Sequence, residues 1–184
     1  MLNPFTRLGT TDSVPAFDCG DADLNEFFAV DAIKWQKDLL TVTYYLEFDG
    51  EVVLYFSLSN DKIQATTLPR SFWRKIKAKF NRNKHRSDYP AVKIGRFAVD
   101  KKYRCRPEHW GTKTMDFIKE WMVAENKTGC CFITVDAYPS AVPFYLKNGF
   151  KFLGSGEEER YKKFLVASDR TDTIAMYFCL KSIV

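Results

Sequence analysis

The sequence lacks any long apolar run, and no window reaches the roughly 18 uninterrupted apolar residues that a transmembrane helix requires. Its first residues, MLNPFTRLGTTDS, lack the basic stretch and the apolar core of a signal peptide. We therefore expect a cytoplasmic protein without a membrane partner. The chain has 184 residues, of which 46% are hydrophobic and 28% charged, and it contains no low-complexity linker. This size and composition predict a single domain over residues 1–184.

Cysteine and histidine are too few and too scattered to indicate a metal site or a disulfide framework. The chain has five cysteines, an odd number that cannot pair completely, and only two histidines. The cysteines show no CxxC spacing and no neighbouring histidine pair. We expect them to be reduced and expect no bound metal. They are Cys19, Cys105, Cys130, Cys131 and Cys179.

Acidic residues are absent from the segment Arg70 to Arg86, which contains eight Lys or Arg. Because the whole chain has a net charge of +5, the rest of it carries −3. Within this basic insertion, at about residues 70–89, Phe72, Trp73, Ile76 and Phe80 are predicted to form one largely aromatic face of a short helix. Such a charge run is usually a solvated face, but it also suits a nucleic-acid backbone.

The hydrophobic periodicity of the remaining chain alternates between helix and strand. It predicts helices over residues 21–38, 112–125 and 140–149, the first with Asp21 or Asp23 as its N-cap. It predicts strands over residues 39–48, 51–59, 91–99, 130–138, 150–154 and 173–183. Asp49-Gly50 is a strong hairpin signal, and residues 155–164 are predicted to be a loop or a short helix. This order indicates an α/β (α+β) fold, a mixed sheet with helices packed on it.

The stretch VDKKYRCRPEHWGT, residues 99–112, links an apolar strand to an amphipathic helix. A basic loop that leads into a helix N-terminus is a common way to bind phosphate, because free amides and the helix dipole favour an anion there. Loops of this kind are usually rich in glycine, whereas this one contains a single glycine, Gly111, and one proline, Pro107.

Several of these segments resemble the GNAT-type N-acetyltransferase superfamily. They are IGRFAVDKKYRCRPEHWGT…MDFIKEWM and FITVDAYPSAVPFYLKNGFKFL, in which A-x-x-FY-x-K-x-GF is the most specific part. The N-terminal segments FDCGDADLNEFFAVDAIKWQ and YYLEFDGEVVLYFSLS are similar to those of GNAT toxins from toxin–antitoxin pairs. Members of that branch acetylate the amino group of aminoacyl-tRNA. The resemblance therefore implies a mostly antiparallel sheet of six to seven strands, with one splayed strand pair, flanked by helices.

The resemblance also implies that acetyl-CoA is the co-substrate and that it binds at the end of the strand and in the following loop. The backbone at the end of the strand would pair with the pantetheine, and the loop would bind the pyrophosphate. The family pattern Q/R-x-x-G-x-G/A is matched only at its ends, since CRPEHW replaces the glycine segment. Pro107 cannot donate an amide and Glu108 would repel phosphate, so the alternative is a solvated loop without a ligand. The implied coenzyme-binding residues are Phe97, Ala98, Val99, Arg104, Arg106, Trp110, Gly111 and Thr112.

Tyr145 matches the family tyrosine near the coenzyme sulfur, and the resemblance implies that it gives a proton to the departing thiolate. The alternative is a core tyrosine with a local hydrogen bond. No motif fixes a general base, for which Asp136, Glu108 and His109 are candidates. We expect direct attack by the amine, with an acetylated cysteine (Cys19 or Cys105) as the alternative route.

The resemblance implies that the basic segment positions the tRNA acceptor stem and that a ribbon-helix-helix antitoxin is the protein partner. Two other functions fit the sequence: acetylation of a small amine or a protein N-terminus, and non-catalytic binding of RNA or protein. Whether the protein is a homodimer stays open. The implied substrate-binding residues are Arg70, Arg74, Lys75, Lys77 and Lys79.

Overall fold

The computed structural model describes residues 4–10, 13–77, 87–127, 129–167 and 172–184, with the side chains of residues 75–77 and 167 outside this description. The strands are β1 Thr6–Arg7, β2 Val42–Phe48, β3 Glu51–Gln64, β4 Asp88–Val99, β5 Phe132–Ala137, β6 Lys151–Phe152 and β7 Ile174–Cys179. The helices are α1 Ala22–Glu26, α2 Ala32–Lys37, α3 Arg70–Lys77, α4 Trp110–Ala124, α5 Val142–Lys147 and α6 Ser155–Ala167. A π-helical turn, Phe27–Asp31, joins α1 to α2, and short 3₁₀ turns are formed by Pro139–Ala141 and Leu180–Ser182.

Seven strands form one sheet in the order β1-β2-β3-β4-β5-β7-β6. The pairs β1/β2, β2/β3, β5/β7 and β6/β7 are antiparallel. The predicted mixed, mostly antiparallel sheet of six to seven strands with flanking helices is thus confirmed. The sequence did not predict β1, because a strand of two residues is too short to show a periodic pattern.

The hairpin between β2 and β3 turns at Asp49-Gly50, as predicted. Phe48 and Glu51 are directly paired, so the loop contains only these two residues. Asp49 has φ 51° and Gly50 has φ 76°. Left-handed conformations at both positions are the requirement of a type I′ turn, whose twist matches that of the strands. The turn therefore sets the register of the β2/β3 pair.

The chain forms two compact units, the first of which comprises Met1–Ser59 and Ile94–Glu120. Its core lies under the helical segment that was predicted over residues 21–38. Asp21 is the N-cap, and its carboxylate accepts a hydrogen bond from the Leu24 amide at 3.1 Å. Phe28 stacks on Tyr55 with ring centroids 4.5 Å apart, and the Tyr55 hydroxyl donates to the Leu24 carbonyl at 2.6 Å. The π-helical turn was not predicted, because a single such turn has no characteristic apolar pattern by which the sequence would indicate it.

The second unit comprises Asn60–Lys93 and Trp121–Val184. Within it, the basic helix α3 is held by two aromatic side chains. Trp73 stacks on Tyr89 at 4.4 Å and donates its indole N–H to the Ala65 carbonyl at 2.8 Å. Phe72 contacts the rings of Phe132 and Tyr177. The prediction of a short helix with an aromatic face is therefore confirmed for Phe72 and Trp73, whereas Phe80 lies outside the described residues.

The segment predicted as a loop or a short helix is α6, a helix of 13 residues. Ion pairs one turn apart support it, with Glu157 bound to Arg160 at 2.7 Å and Glu158 to Lys162 at 2.8 Å. Within the described ranges, no helix is both long and apolar enough to cross a membrane.

Candidate functional site

The glycine-poor loop follows β4 from Asp100 and ends at the first residue of α4. Two of its residues have left-handed backbone conformations, Cys105 with φ 60° and His109 with φ 51°. Such a conformation costs an L-residue roughly 1–2 kcal/mol and is usually given to glycine. The loop therefore makes two turns that normally need glycine, but it makes them with a cysteine and a histidine.

The N-terminus of α4 presents backbone amides that lack a carbonyl acceptor. The first intrahelical bond runs from the Lys113 amide to the His109 carbonyl at 3.0 Å. The amides of Trp110, Gly111 and Thr112 precede it, and no carbonyl among the described residues accepts them. In a helix of 15 residues these amides and the positive end of the helix dipole favour an anion.

The Trp110 side chain adds a further donor at this helix N-terminus. Its indole nitrogen Nε1 is buried and has no hydrogen-bond partner in the described part of the chain. The ring packs against Phe48, with centroids 5.6 Å apart. A buried N–H without a partner is costly, so this group is suited to a hydrogen bond with a bound ligand.

Arg104 and Arg106 are both exposed, but each already has an internal contact. Arg104 donates from Nη2 to the Cys19 carbonyl at 2.6 Å. Arg106 donates from Nε to the Lys102 carbonyl at 2.6 Å, and its guanidinium lies 5.1 Å from the centre of the Tyr103 ring. Because a guanidinium has five N–H groups, these contacts fix the position of each arginine and leave donors for an anion.

The loop is tied to the N-terminal segment by two carboxylates whose role the sequence did not reveal. The Asp18 carboxylate accepts hydrogen bonds from the Gly20 amide at 2.8 Å, from Asn25 Nδ2 at 2.9 Å and from the Lys101 ammonium. The Asp100 carboxylate in turn accepts from the Asp18 amide at 3.0 Å. The motif FDCGDADLN was part of the family resemblance, but its spacing alone does not indicate that Asp18 contacts Asp100 and Lys101, 82 and 83 positions later.

The β2/β3 hairpin holds the same loop from a second direction. Glu51 accepts from the Lys102 ammonium at 2.6 Å and from the Tyr103 hydroxyl at 3.0 Å. The hydrogen bond that Lys102 donates to Glu51 is the main reason why the pKa of Glu51 is lowered. The Asp100 amide donates to the Val53 carbonyl at 2.9 Å. The start of the loop is thus fixed by side-chain hydrogen bonds.

The end of β4 contains the three residues whose backbone was predicted to pair with the pantetheine. Ala98 is buried in the core of the first unit, while Phe97 and Val99 are half-buried. This alternation is that of a strand with one face on the core. The three residues lie directly before Asp100, where the loop begins.

Tyr145 lies on α5, in the second unit, and is 5% exposed. Its ring contacts Phe144 and Phe150, each with centroids 5.3 Å apart. No described residue forms a hydrogen bond with its hydroxyl group, so the local bond of an ordinary core tyrosine is not found among them. Burial raises the pKa of Tyr145, which keeps the phenol protonated at neutral pH.

The basic residues predicted to bind tRNA are only partly covered by the structure. Arg70 and Arg74 are exposed on α3. The side chains of Lys75 and Lys77, and the whole of Lys79, lie outside the described residues. Two exposed guanidinium groups on one short helix are suited to contact a phosphate backbone.

The candidates for a general base and for a covalent acetyl carrier lie in different environments. Glu108 and His109 are exposed in the loop, and Asp136 on β5 forms an ion pair with Lys93. Burial raises the pKa of the Cys19 thiol, which opposes formation of the nucleophilic thiolate and disfavours this cysteine as an acetyl carrier. Among the described residues, no group of three or more His, Cys, Asp or Glu could hold a metal ion.

Known structures with a similar fold include bacterial toxins. A crystal structure of a bacterial toxin matches with a TM-score of 0.70 at 16% sequence identity, covering 97% of this chain and 91% of that chain. AtaT complexed with acetyl-methionyl-tRNAfMet matches with a TM-score of 0.68 at 21% identity, covering 97% of this chain and 95% of that chain. A tyrosine-to-phenylalanine mutant of the AtaT toxin, bound to the C-terminus of the antitoxin AtaR and to acetyl-CoA, matches with a TM-score of 0.63 at 20% identity, covering 97% of this chain and 94% of that chain.

These similarities are structural. No protein-family profile matches the chain, and no curated protein matches its sequence. At identities of this size the comparisons establish the fold alone, which is GNAT-like, as the sequence resemblance implied.

The contacts of Asp18 predict a specific dependence of stability on pH. Its hydrogen bond with Lys101, followed by those with Asn25 and Gly20, lowers the pKa of Asp18 from 3.8 to about 2. A carboxyl group whose pKa is lowered by folding stabilises the folded state at pH values above its unfolded-state pKa. This contribution is lost as the pH falls towards its folded-state pKa. Asp18→Asn should therefore lower the melting temperature at pH 7, and its difference from wild type should shrink between pH 4 and pH 2. Melting curves across this range test the prediction, with exposed Glu120→Gln as a control, and a difference that stays constant down to pH 2 would contradict it.

Proposed function

We propose that this chain is an N-acetyltransferase that transfers the acetyl group of acetyl-CoA to the α-amino group of aminoacyl-tRNA. The observation that carries the proposal is the N-terminus of α4, where three amides and the Trp110 indole, all without a partner among the described residues, follow a basic loop. AtaT, which has a similar fold, has been solved with acetyl-methionyl-tRNAfMet and with acetyl-CoA. Together with the sequence resemblance, these findings support an acetyl-CoA site here, and the 184 residues are proposed to act as one acetyltransferase domain.

The residues around the loop fit the groups of the coenzyme. The amides of Trp110, Gly111 and Thr112 would donate to the pyrophosphate, with Trp110 Nε1 as an additional donor. Arg104 and Arg106 would add charge-assisted hydrogen bonds. The backbone of residues 97–99 would pair with the amides of the pantetheine. Pro107 lacks an N–H and Glu108 carries a negative charge, so both would face away from the phosphates.

When bound, acetyl-CoA supplies an acetyl thioester. The amine nitrogen forms a bond to the carbonyl carbon, the carbon–sulfur bond breaks, and the departing sulfur needs a proton. Tyr145 is proposed to donate it, because its raised pKa keeps the phenol protonated and its hydroxyl has no partner among the described residues. The α-amine of an aminoacyl ester is less basic than a lysine amine, so water can carry its proton away.

The basic helix α3 is proposed to bind the acceptor stem of the tRNA. Phe72 and Trp73 fix the helix on the second unit, and Arg70 and Arg74 are exposed on it. Lys75, Lys77 and Lys79 continue the cationic sequence. Because Phe72 and Trp73 anchor the helix, the exposed Arg70 and Arg74 would lie at defined positions along a phosphate backbone.

An antitoxin is the protein partner that this function requires, because acetylation of aminoacyl-tRNA stops translation in the cell that makes the enzyme. The AtaT mutant toxin was solved with the C-terminus of its antitoxin, AtaR. We propose that the chain is the toxin of such a pair and that its antitoxin is of the ribbon-helix-helix type.

Tyr145→Phe tests the proposed chemistry. The change keeps the buried ring and removes only the proton donor, so kcat for acetylation of aminoacyl-tRNA should fall by roughly 100-fold or more, while acetyl-CoA still binds. Transfer of radioactive acetyl from acetyl-CoA to a pool of aminoacyl-tRNA measures it. Tyr161→Phe, a half-buried tyrosine on α6, is the control and should keep full activity. Full activity of Tyr145→Phe would rule out the proton donor, and no transfer by folded wild-type protein to any aminoacyl-tRNA would rule out the proposed substrate.

Charge reversal on α3 tests the proposed tRNA contact. Arg70→Glu/Arg74→Glu should raise KM for aminoacyl-tRNA by at least ~10-fold and reduce the slope of log KM against log salt by about 2, roughly one for each lost phosphate contact. KM for acetyl-CoA should not change. Lys162→Glu/Lys163→Glu on α6 alters the total charge equally and serves as the control. Equal effects of the two double variants would mean that net charge, and not α3, attracts the tRNA.

A further inference from the structure

One face of three neighbouring strands in the second unit changes from apolar to polar along their length. Successive residues on one face of a strand are two positions apart. On β3, β4 and β5, the residues Ile63, Ala91 and Phe132 belong to the buried core beneath α3. The next residues on the same face are all polar, and we call them the polar row: Asp61 on β3, Lys93 on β4, and Thr134 and Asp136 on β5.

The members of the polar row are linked in pairs across the sheet. The Thr134 hydroxyl donates to Asp61 Oδ2 at 2.5 Å. Since β4 lies between β3 and β5 in the strand order, this bond links two strands that are not direct neighbours. Lys93 forms an ion pair with Asp136 Oδ2. These contacts confirm that the four side chains project from the same face.

Lys93 and Asp136, at one end of the polar row, are open to solvent, whereas Thr134 is only 3% exposed. The side chains of Lys93 and Asp136 are 33% and 46% exposed. Antiparallel sheets commonly leave one face to solvent; here one face is apolar where α3 covers it and charged where it is open. The second oxygen of Asp136, Oδ1, has no hydrogen-bond partner among the described residues. The row therefore has an accessible acceptor that the fold does not use.

The charge of the polar row is opposite to that of the neighbouring helix. Two carboxylates and one ammonium give the row a net charge of −1, whereas the chain as a whole carries +5. The helix α3 packs on the apolar end of the same strands through Phe72 and Trp73, and it exposes Arg70 and Arg74. One face of the second unit thus combines a cationic helix with an anionic row.

This combination fits a ligand that is a polyanion with a primary amine at its end. The 3′ end of an aminoacyl-tRNA has this chemistry, because phosphates precede a terminal amino acid with a free α-amine. A protein N-terminus lacks the phosphates, and a polyamine lacks the anionic part. The pairing of Lys93 with Asp136 also moderates the negative field, so that a bound amine need not stay protonated in order to bind.

We propose that the polar row is the binding site for the acceptor amine and that Asp136 is its hydrogen-bond acceptor. Asp136 Oδ1 would accept from the amine while Lys93 remains on Oδ2, and Asp61 and Thr134 would hold the row in place. This inference rests on the proposed function, since it assigns the aminoacyl end of the tRNA to particular residues. It adds a recognition site on the amine side of the reaction.

Binding of charged and uncharged tRNA tests the inference without catalysis. A pool of aminoacyl-tRNA and the same pool after deacylation are titrated, without acetyl-CoA, against wild-type protein and variants. The wild type should bind the charged pool roughly 10-fold more tightly, as expected for a hydrogen bond to a charged group. Asp136→Asn should reduce this preference to below ~3-fold and leave the affinity for uncharged tRNA unchanged.

The variant Lys93→Met distinguishes binding of the amine by Asp136 from a purely structural role of the Lys93–Asp136 ion pair. If the ion pair only stabilises the sheet, removal of either partner should have the same effect. If Asp136 binds the amine, Lys93→Met should keep or increase the preference for charged tRNA, because the carboxylate becomes a stronger acceptor. Asp88→Asn is the matched control for Asp136→Asn, since Asp88 is likewise a strand aspartate, on β4, that pairs with a lysine, Lys62, at 3.3 Å. Melting curves confirm that each variant folds, and Asp61→Asn replaces Asp136→Asn if the latter does not.

Several results would overturn the inference. They are an unchanged preference in Asp136→Asn, an equal loss in Asp136→Asn and Lys93→Met, or the absence of any preference in a wild type that acetylates aminoacyl-tRNA. In these three cases the proposed function survives and only the assignment of the amine site fails. If the folded wild type neither prefers charged tRNA nor acetylates it, the proposed function and the inference fail together.

Discussion

The hydrogen bonds of the Asp18 and Asp100 carboxylates determine how a loop with little glycine can remain in one conformation. Glycine-rich phosphate loops bring their backbone close to the ligand because they have no side chains in the way. Here the start of the loop is held instead by side chains: Asp100 binds the Asp18 amide, Asp18 binds Lys101, and Glu51 binds Lys102 and Tyr103. Because these bonds fix residues 100–103, the left-handed turns at Cys105 and His109 are tolerated and the chain enters α4 with its first amides free.

A comparable constraint operates in the second unit, where aromatic packing holds a cationic helix. The apolar ends of β3, β4 and β5 provide the surface on which Phe72 and Trp73 rest. At the polar ends of the same strands, Lys93 and Asp136 are partly exposed in the described part of the chain. The position of α3 thus determines both where the cations of the helix lie and which part of the sheet stays open to a ligand. One packing interaction accounts for the two halves of the proposed tRNA-binding surface.

The sequence predicted the elements whose pattern is local. The Asp49-Gly50 turn, the helix capped by Asp21 and the aromatic face of α3 all follow from neighbouring residues, and the structure confirms them. It did not predict β1 or the π-helical turn, because a strand of two residues is too short to show a period and a single π-helical turn has no apolar pattern of its own.

The candidate site was predictable to a smaller extent, because much of it depends on residues far apart in the chain. The strand–loop–helix motif indicated an anion site from its order alone. The roles of Asp18 and of Asp61 were not visible, since each depends on a partner more than 70 positions away. Only the folded sheet brings Asp61 to Thr134, and an acidic residue in a strand gives no sign of its partner.

The central claim is that the glycine-poor loop binds acetyl-CoA, and calorimetric titration of the purified chain with acetyl-CoA tests it most directly. The account predicts micromolar affinity that Arg104→Ala/Arg106→Ala weakens, because both guanidinium groups would contact the phosphates. Absence of binding by folded wild-type protein would contradict the account and leave α3 and the polar row as a binding surface without a coenzyme.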